Sequence, residues 1–321
     1  MIVLWRITER CNYACGFCAY DRRIKRSRTE VSEADALRLG AVVAAYGRAS
    51  GQRTMISWLG GEPLLWAPLF AVSEALRADG LAISLTTNGS LLHLPHVQER
   101  LLATVDELTV SVDGGQALHD RLRGFDGAWR RCRAGVSALR RAREARGGGP
   151  RLRANVVLMR STLPEFETLC TDLADWGVDE ITFNQLGGRD RPEFFPAERL
   201  VTGDITDLRS YVERLKGALA DRGVRLCAAP RYLDRLDAAA AGAPWLVDEC
   251  GMGQDFLFID ETGRISPCSF STAEYGAPAA GVLAAADLDL LPAQFRAAKK
   301  KAPCAACADC PSTQVSAKFG T

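Results

Sequence analysis

The 321-residue chain contains no run of about 18 apolar residues, so no membrane-spanning helix is expected. No charge of one sign dominates: 40 Lys and Arg stand against 39 Asp and Glu, leaving a net charge of +1. Composition therefore gives no reason to expect a nucleic-acid or membrane partner. The opening MIVLWRITER is too short an apolar run for a signal peptide, and Arg6 interrupts it. No close internal repeat is present. Histidine is scarce, with only His93, His96 and His119. These absences describe a cytoplasmic globular chain.

What is present fits that description. Hydrophobic residues make up 47% and charged residues 25%, an ordinary globular balance able to bury a core without disulfides. Length suggests about two domains, with one large barrel-like domain as the competing reading. Arg22, Arg23, Arg26 and Arg28 cluster, and a solvated face is favoured over an anion or partner site. In a reducing compartment the eleven cysteines are better candidates for metal or redox chemistry than for disulfides.

The first two-thirds alternates strand-like and helix-like segments. Apolar and β-branched runs predict strands at Ile2–Thr8, Thr54–Leu59, Leu81–Thr86, Glu107–Val112, Leu152–Met159 and Glu180–Asn184. Helical periodicity lies between them, at Ser32–Tyr46 with Ser32 as N-cap, Pro68–Ala78, Pro95–Ala103, Ala128–Ala145 and Pro164–Trp176. Serial strand–helix units imply parallel strands joined by right-handed crossovers. Six units are too few for a closed eight-stranded barrel, so an open or partial barrel is expected. After about residue 225 Gly, Pro and Cys become frequent. Phe256–Ile259 and Arg264–Ser266 flank a turn and read as a hairpin, and Ala285–Lys299 as one more helix.

Cys11, Cys15 and Cys18 follow the first strand in a C-x3-C-x2-C pattern. Three thiolates on one loop can grip three irons of a cubane and leave the fourth iron open for another ligand. Zinc is the main alternative, but structural zinc usually closes with four ligands, and no histidine stands nearby in sequence. Gly60-Gly61-Glu62-Pro63 follows the second strand. Two glycines allow close backbone approach, and a carboxylate there can accept from an ammonium group. Thr86-Thr87-Asn88-Gly89 ends the third strand, and Ser111-Val112-Asp113-Gly114 the fourth. Both stand at the carboxyl edge of a parallel sheet, the usual ligand face. Turn chemistry alone also accounts for Asn-Gly and Asp-Gly.

With these motifs in order, the chain resembles the radical S-adenosylmethionine (SAM) superfamily over roughly its first 190 residues. The resemblance implies a partial (β/α)6 TIM-like barrel. It implies a [4Fe–4S] cluster on Cys11, Cys15 and Cys18 that binds SAM at its open iron and cleaves it to a 5′-deoxyadenosyl radical. Phe17 matches the aromatic near the adenine, and Glu62 of the GGE motif holds the SAM amino group. Gly60, Gly61, Asn88, Ser111 and, more weakly, Asn155 are the further SAM contacts expected. His119-Asp120 and Arg123-Gly124 continue the pattern of members that carry extra clusters, such as the anaerobic sulfatase-maturing enzymes. Asn184, Gln185 and Arg189, at and after the end of the sixth strand, are proposed substrate contacts, with a solvated loop as the bland alternative.

The tail resembles the auxiliary-cluster module called twitch, so domains of 1–225 and 226–321 are expected. Cys250 and Cys268 bracket Gly263 as C-x12-G-x4-C, and Cys304, Cys307 and Cys310 form C-x2-C-x2-C. The expected ligand set for one auxiliary [4Fe–4S] cluster is Cys250, Cys268, Cys304 and Cys307, with Cys310 spare or replacing Cys307. Four thiolates would satisfy a structural zinc equally well. Cys227 and Cys310 are candidate hydrogen-atom donors, as in some family epimerases. Cys132 and Cys170 fall in helices and read as buried apolar residues.

The resemblance implies hydrogen abstraction from a peptide or small natural product, leading to epimerisation, dehydrogenation or crosslinking. Aminoglycoside or aminocyclitol epimerases and dehydrogenases are similar in cluster count and length. A non-catalytic iron–sulfur or zinc protein is the alternative of another class. The chain opens on its first strand, leaving no N-terminal peptide-recognition domain, which weakens the case for a leader-guided peptide. A reductase or a flavodoxin- or ferredoxin-type electron donor is the implied protein partner.

Overall fold

The computed structural model describes residues 1–188 and 191–319. Six strands run parallel in sequential order: β1 (Ile2–Thr8), β2 (Met55–Gly60), β3 (Ala82–Thr87), β4 (Glu107–Ser111), β5 (Arg151–Leu158) and β6 (Glu180–Gln185). Between them lie α1 (Glu33–Ser50), α2 (Leu69–Ala78), α3 (Pro95–Thr104), α4 (Gln116–Arg123), α5 (Ala128–Arg146) and α6 (Phe166–Trp176). Element bounds fall within a few residues of the sequence expectation, except that α4 was not anticipated as a helix.

Each strand is two-faced. On β5, Leu152, Ala154, Val156 and Leu158 are buried, while Arg151, Arg153 and Asn155 line a cavity on the other face. The period of two thus sends apolar side chains under the helices and polar ones into the concave face. Leu4 on β1 and Asn184 on β6 line one cavity although four strands separate them, so the sheet curls into a partial TIM-like barrel. The helices start and stop on local signals. Ser32 caps α1, its Oγ accepting from Asp35 N at 3.1 Å, and left-handed Gly51 ends it.

The sheet continues past both ends of the six-strand core. After α7 (Phe195–Glu198) and α8 (Thr202–Ala220), β7 (Arg225–Leu226) adds in parallel to β6. After α9 (Pro230–Ala240), β8 (Phe256–Ile259) pairs in parallel with β1 and turns back into β9 (Arg264–Ser266). Asp260 Oδ1 fixes that turn by accepting from Thr262 N and Arg264 N. β10 (Ala277–Pro278) forms the far edge. Strands from both sides of residue 225 therefore share one ten-stranded sheet, open at β7 and β10. Three helices complete the chain: α10 (Thr272–Tyr275), α11 (Ala285–Lys301) and α12 (Ala305–Ala308). No helix among the described residues is long and apolar enough to cross a membrane.

Candidate active site

The loop after β1 brings Cys11, Cys15 and Cys18 into one apolar nest with Tyr13, Phe17, Phe125 and Ala128. Backbone hydrogen bonds hold the loop there. Ala14 N donates to Arg123 O at 3.0 Å, Arg22 N to Tyr13 O at 3.1 Å and Glu62 N to Arg10 O at 2.8 Å. Two glycines make this closeness possible. A Cβ on Gly61 would lie 2.2 Å from Arg10 O, and one on Gly124, whose φ is +61°, would lie 2.6 Å from Ala14 O. The GG pair thus makes room for the cysteine loop itself.

Three cysteines that each bind a different iron need not meet at one point. Consistently, no three His, Cys, Asp or Glu side chains among the described residues converge on a single-ion site. The donor set fits a [4Fe–4S] cluster with one open iron. Cys11 Sγ accepts from Asn88 Nδ2 at 3.6 Å and Cys18 Sγ from Tyr20 N at 3.4 Å. Such N–H donors tune a cluster's potential. Burial pushes the Cys11 and Cys15 thiols up to about 11, a cost that a bound cationic centre opposes.

Glu62 is fully buried. Its carboxylate accepts from Thr87 Oγ1 at 2.7 Å, Asn88 N at 2.7 Å and Leu64 N at 3.1 Å. Desolvation raises its carboxyl to about 7. Asn88 in turn donates to Cys11 Sγ and to Asn12 Oδ1, so the GGEP turn, the end of β3 and the cysteine loop form one hydrogen-bonded rim. On the neighbouring edge Asp113 accepts from Val157 N through one oxygen and pairs with buried Arg123 through the other. His119 Nδ1 accepts from Asp113 N at 3.0 Å, and burial holds the imidazole well below its usual range, so it is neutral. Arg123 also lies over the Phe17 ring, 5.6 Å from its centroid. Asp120 accepts from Gly127 N and Trp129 N and so starts α5. These residues act as the frame of the cysteine loop.

Ser111, Asn155 and Asn184 line an open cavity inside the barrel. Gln185 lines an adjoining cavity at the seam between β6 and β8. Arg189, and Asp190 beside it, lie outside the described residues. Arg191 packs onto the cysteine loop, donating to Cys18 O and pairing with Asp21. Cys132 and Cys170 are fully buried in α5 and α6. Cys227 is buried at the end of β7 and is not among the residues lining the barrel cavity.

Sequence reasoning missed the C-terminal residues Thr313, Gln314, Lys318 and Phe319, which line the same barrel cavity. Lys318 Nζ donates to Asn155 Oδ1 and Asn184 Oδ1, each at 2.8 Å. No local pattern marks a lone lysine in a tail for such a place.

In the C-terminal region, Cys250, Cys268, Cys307 and Cys310 line one small cavity. Cys304 is not among the lining residues, but its Sγ lies 3.8 Å from the carbonyl oxygen of Phe270, which borders the same cavity, and its N–H is donated to Tyr275 Oη at 2.6 Å. Cys250, Cys268 and Cys307 of the expected set thus line one cavity together with Cys310, and Cys304 lies beside it at Phe270. Phe256 and Gln314 border this cavity, the seam cavity and the barrel cavity alike. The C-terminal thiols are therefore near neighbours of the barrel interior.

Comparison with known proteins agrees with this geometry. The "Radical SAM superfamily" pattern matches residues 5–173. An AdoMet-dependent heme synthase of Oleidesulfovibrio alaskensis is 24% identical over 286 residues, covering 86% of this chain and 71% of that protein. A PqqA peptide cyclase of Xanthomonas axonopodis pv. citri is 27% identical over 272 residues, covering 83% and 67%. Streptococcus suis SuiB bound to S-adenosylmethionine shares the fold, with a TM-score of 0.62 and 16% identity over 84% of this chain; the chain spans 60% of SuiB. With a cluster-type cysteine loop at the carboxyl edge of a partial barrel, and more than half of its length matched, the chain belongs to the radical SAM superfamily.

Proposed function

We propose that the protein cleaves SAM reductively and uses the resulting radical to abstract a hydrogen atom from a peptide or small natural product bound inside the barrel, in the cytoplasm. The observation that carries this reading is the rim in which Asn88 links Cys11 to the Glu62 turn, at the carboxyl ends of β2 and β3, whose Leu59 and Thr86 line the barrel cavity. When bound, the [4Fe–4S] cluster supplies the electron for SAM cleavage, drawn from a reductase or a flavodoxin- or ferredoxin-type donor. Cys11, Cys15 and Cys18 would hold it. The chain's own part is to bind and orient. Phe17, Gly60, Gly61, Glu62, Asn88 and Ser111 shape the SAM site, with Glu62 for the SAM amino group, and the Glu62 carboxylate also holds the end of β3 through Thr87 and Asn88. The apolar nest of Tyr13, Phe125 and Ala128 keeps water from the cysteine loop.

The region 226–321 acts as an auxiliary module, with Cys250, Cys268, Cys307 and Cys310 as ligands of a second [4Fe–4S] cluster. Its position beside the barrel interior suits electron exchange with substrate, which favours an oxidative outcome. Cys227 remains the candidate thiol for an epimerising outcome. The deciding experiment is anaerobic reduction of the reconstituted protein with SAM. Formation of 5′-deoxyadenosine by wild type and its loss in Cys15→Ala support the reading. No 5′-deoxyadenosine from a protein with an intact, reduced cluster and candidate substrates present would overturn it.

A further inference from the structure

At the bottom of the barrel cavity three arginines share two carboxylates, Glu107 and Glu180, a surplus of one positive charge before Lys318 is counted. Arg153 pairs with Glu180 at 2.6 Å and Glu107 at 3.3 Å, Arg225 with Glu180 at 2.5 Å, and Arg151 with Glu180 at 3.3 Å. The fourth cation lining the cavity, Lys318, has no carboxylate partner among the described residues and is 5% exposed. Its amine is instead seated on two amide oxygens, Asn155 Oδ1 and Asn184 Oδ1.

That seat fixes how both asparagines face. An ammonium group has donors and no acceptor, so each amide must turn its oxygen toward Lys318 and its NH2 away. Asn155 Oδ1 is further engaged by Thr182 Oγ1 at 3.0 Å, and Asn184 Oδ1 by Tyr232 Oη at 3.4 Å. Asn155 Nδ2 makes no hydrogen bond among the described residues. Asn184 Nδ2 is turned onto Asn155 Oδ1 at 3.4 Å, so the floor presents the Asn155 NH2 and a surplus of positive charge to whatever enters.

We propose that Lys318, Asn155 and Asn184 form a carboxylate-binding floor, so that the substrate of this barrel carries a carboxylate that docks there. That this ligand is the substrate rests on the function proposed above. A carboxylate can pair with the Lys318 ammonium through one oxygen and accept from Asn155 Nδ2 through the other. Burial lowers the Lys318 ammonium to about 7 in the empty cavity, and an arriving carboxylate supplies the countercharge it lacks. The tail is then part of the site and sets its specificity.

The test uses the full chain, anaerobically reconstituted and saturated with SAM, with succinate and the neutral isostere succinamide as probes in calorimetric titration. Succinate is expected to bind at least ~10-fold more tightly than succinamide. Lys318→Met should reduce that preference to within about 2-fold. Asn155→Asp should do the same while giving Lys318 a partner and so keeping the tail in place, which covers the case in which Lys318→Met fails to fold. Equal binding of the two probes to wild type, no succinate binding, or an intact preference in either variant overturns the assignment. The readout needs no SAM turnover, so a failure to form 5′-deoxyadenosine would overturn the radical reading while leaving the floor assignment standing.

Discussion

The two cysteine-rich regions are built in opposite ways. In the N-terminal one, three thiols lie within eight consecutive residues of a single loop, and neighbouring backbone shapes that loop around them. In the C-terminal one, four thiols that share a cavity come from three separate places: the approach to β8, the turn after β9 and the tail around α12. The first site is made by local chain geometry, the second by tertiary packing of the hairpin against the tail. The lesson is that spacing alone identifies ligands when one loop carries them all. It does not when thiols from separate parts of the chain are brought to one cavity.

The largest effect that would break this comparison is an exchange of roles between the sites. Replacing Cys11, Cys15 and Cys18 by Ala should abolish 5′-deoxyadenosine formation and lower iron from about eight to about four per chain. Replacing Cys250, Cys268, Cys307 and Cys310 should also remove about four irons but leave SAM cleavage measurable. If reconstituted wild type holds only about four irons, the C-terminal thiols bind zinc or nothing.

A sharper test sits inside the tail. Cys310→Ala should lose the second complement of iron, whereas Cys304→Ala should keep most of it, because Cys310 and not Cys304 is among the residues that line the shared cavity. Equal iron loss in the two variants would return the assignment to the set expected from sequence. Iron and sulfide analysis beside the visible absorption of the cluster separates the outcomes.

Gly124→Ala probes how tightly backbone shapes the first site. Its φ of +61° costs an L-residue about 1–2 kcal/mol, and its Cβ would press on Ala14 O. Thermal unfolding should shift down, with weaker cluster retention at Cys15. An unchanged melting curve and full iron would mean the loop yields easily.

The tail offers a pH test. The Lys318 ammonium is lowered to about 7 by burial, against 10.5 in its ordinary state. Between these values the unfolded chain binds the proton and the folded chain does not. Stability should thus rise with pH from 7 toward 10.5, by up to about 2 kcal/mol between pH 7 and 9. Below pH 7 both states are protonated and the lysine contributes its full penalty. Lys318→Met should flatten this part of the profile in denaturant titrations, and an unaltered slope would show that Lys318 is not buried as described. Smallest of all, Ser32→Ala removes the cap of α1, remote from both cysteine sites. It should cost ~1 kcal/mol in the same titrations without touching iron content.

Much of the barrel was legible from periodicity and punctuation. Alternation on β5 separates the apolar face from the cavity face, and Ser32 and Gly51 bound α1 as capping chemistry dictates. α4 escaped because its eight residues follow a turn motif and offer little apolar stripe, only Leu118 and Leu122 being buried aliphatics. The role of the GG pair was half legible. Small residues were required there, but the close approach is by Arg10 of the cysteine loop. Asn155 and Asn184 were recognisable as cavity-facing polar residues from their strands. The partner that orients them stands 134 residues beyond Asn184, where no sequence period reaches.

By itself the sequence determined the strand–helix alternation, the cysteine loop and the family, because those depend on contacts between residues near in the chain or on fixed motif spacing. Tertiary structure decided three further things: that the hairpin after residue 255 joins the barrel sheet through β1, that Cys310 lines one cavity with Cys250, Cys268 and Cys307, and that Lys318 reaches the barrel interior. Each depends on long-range packing of weakly patterned segments, whose side-chain directions are fixed only once the apolar core has placed them.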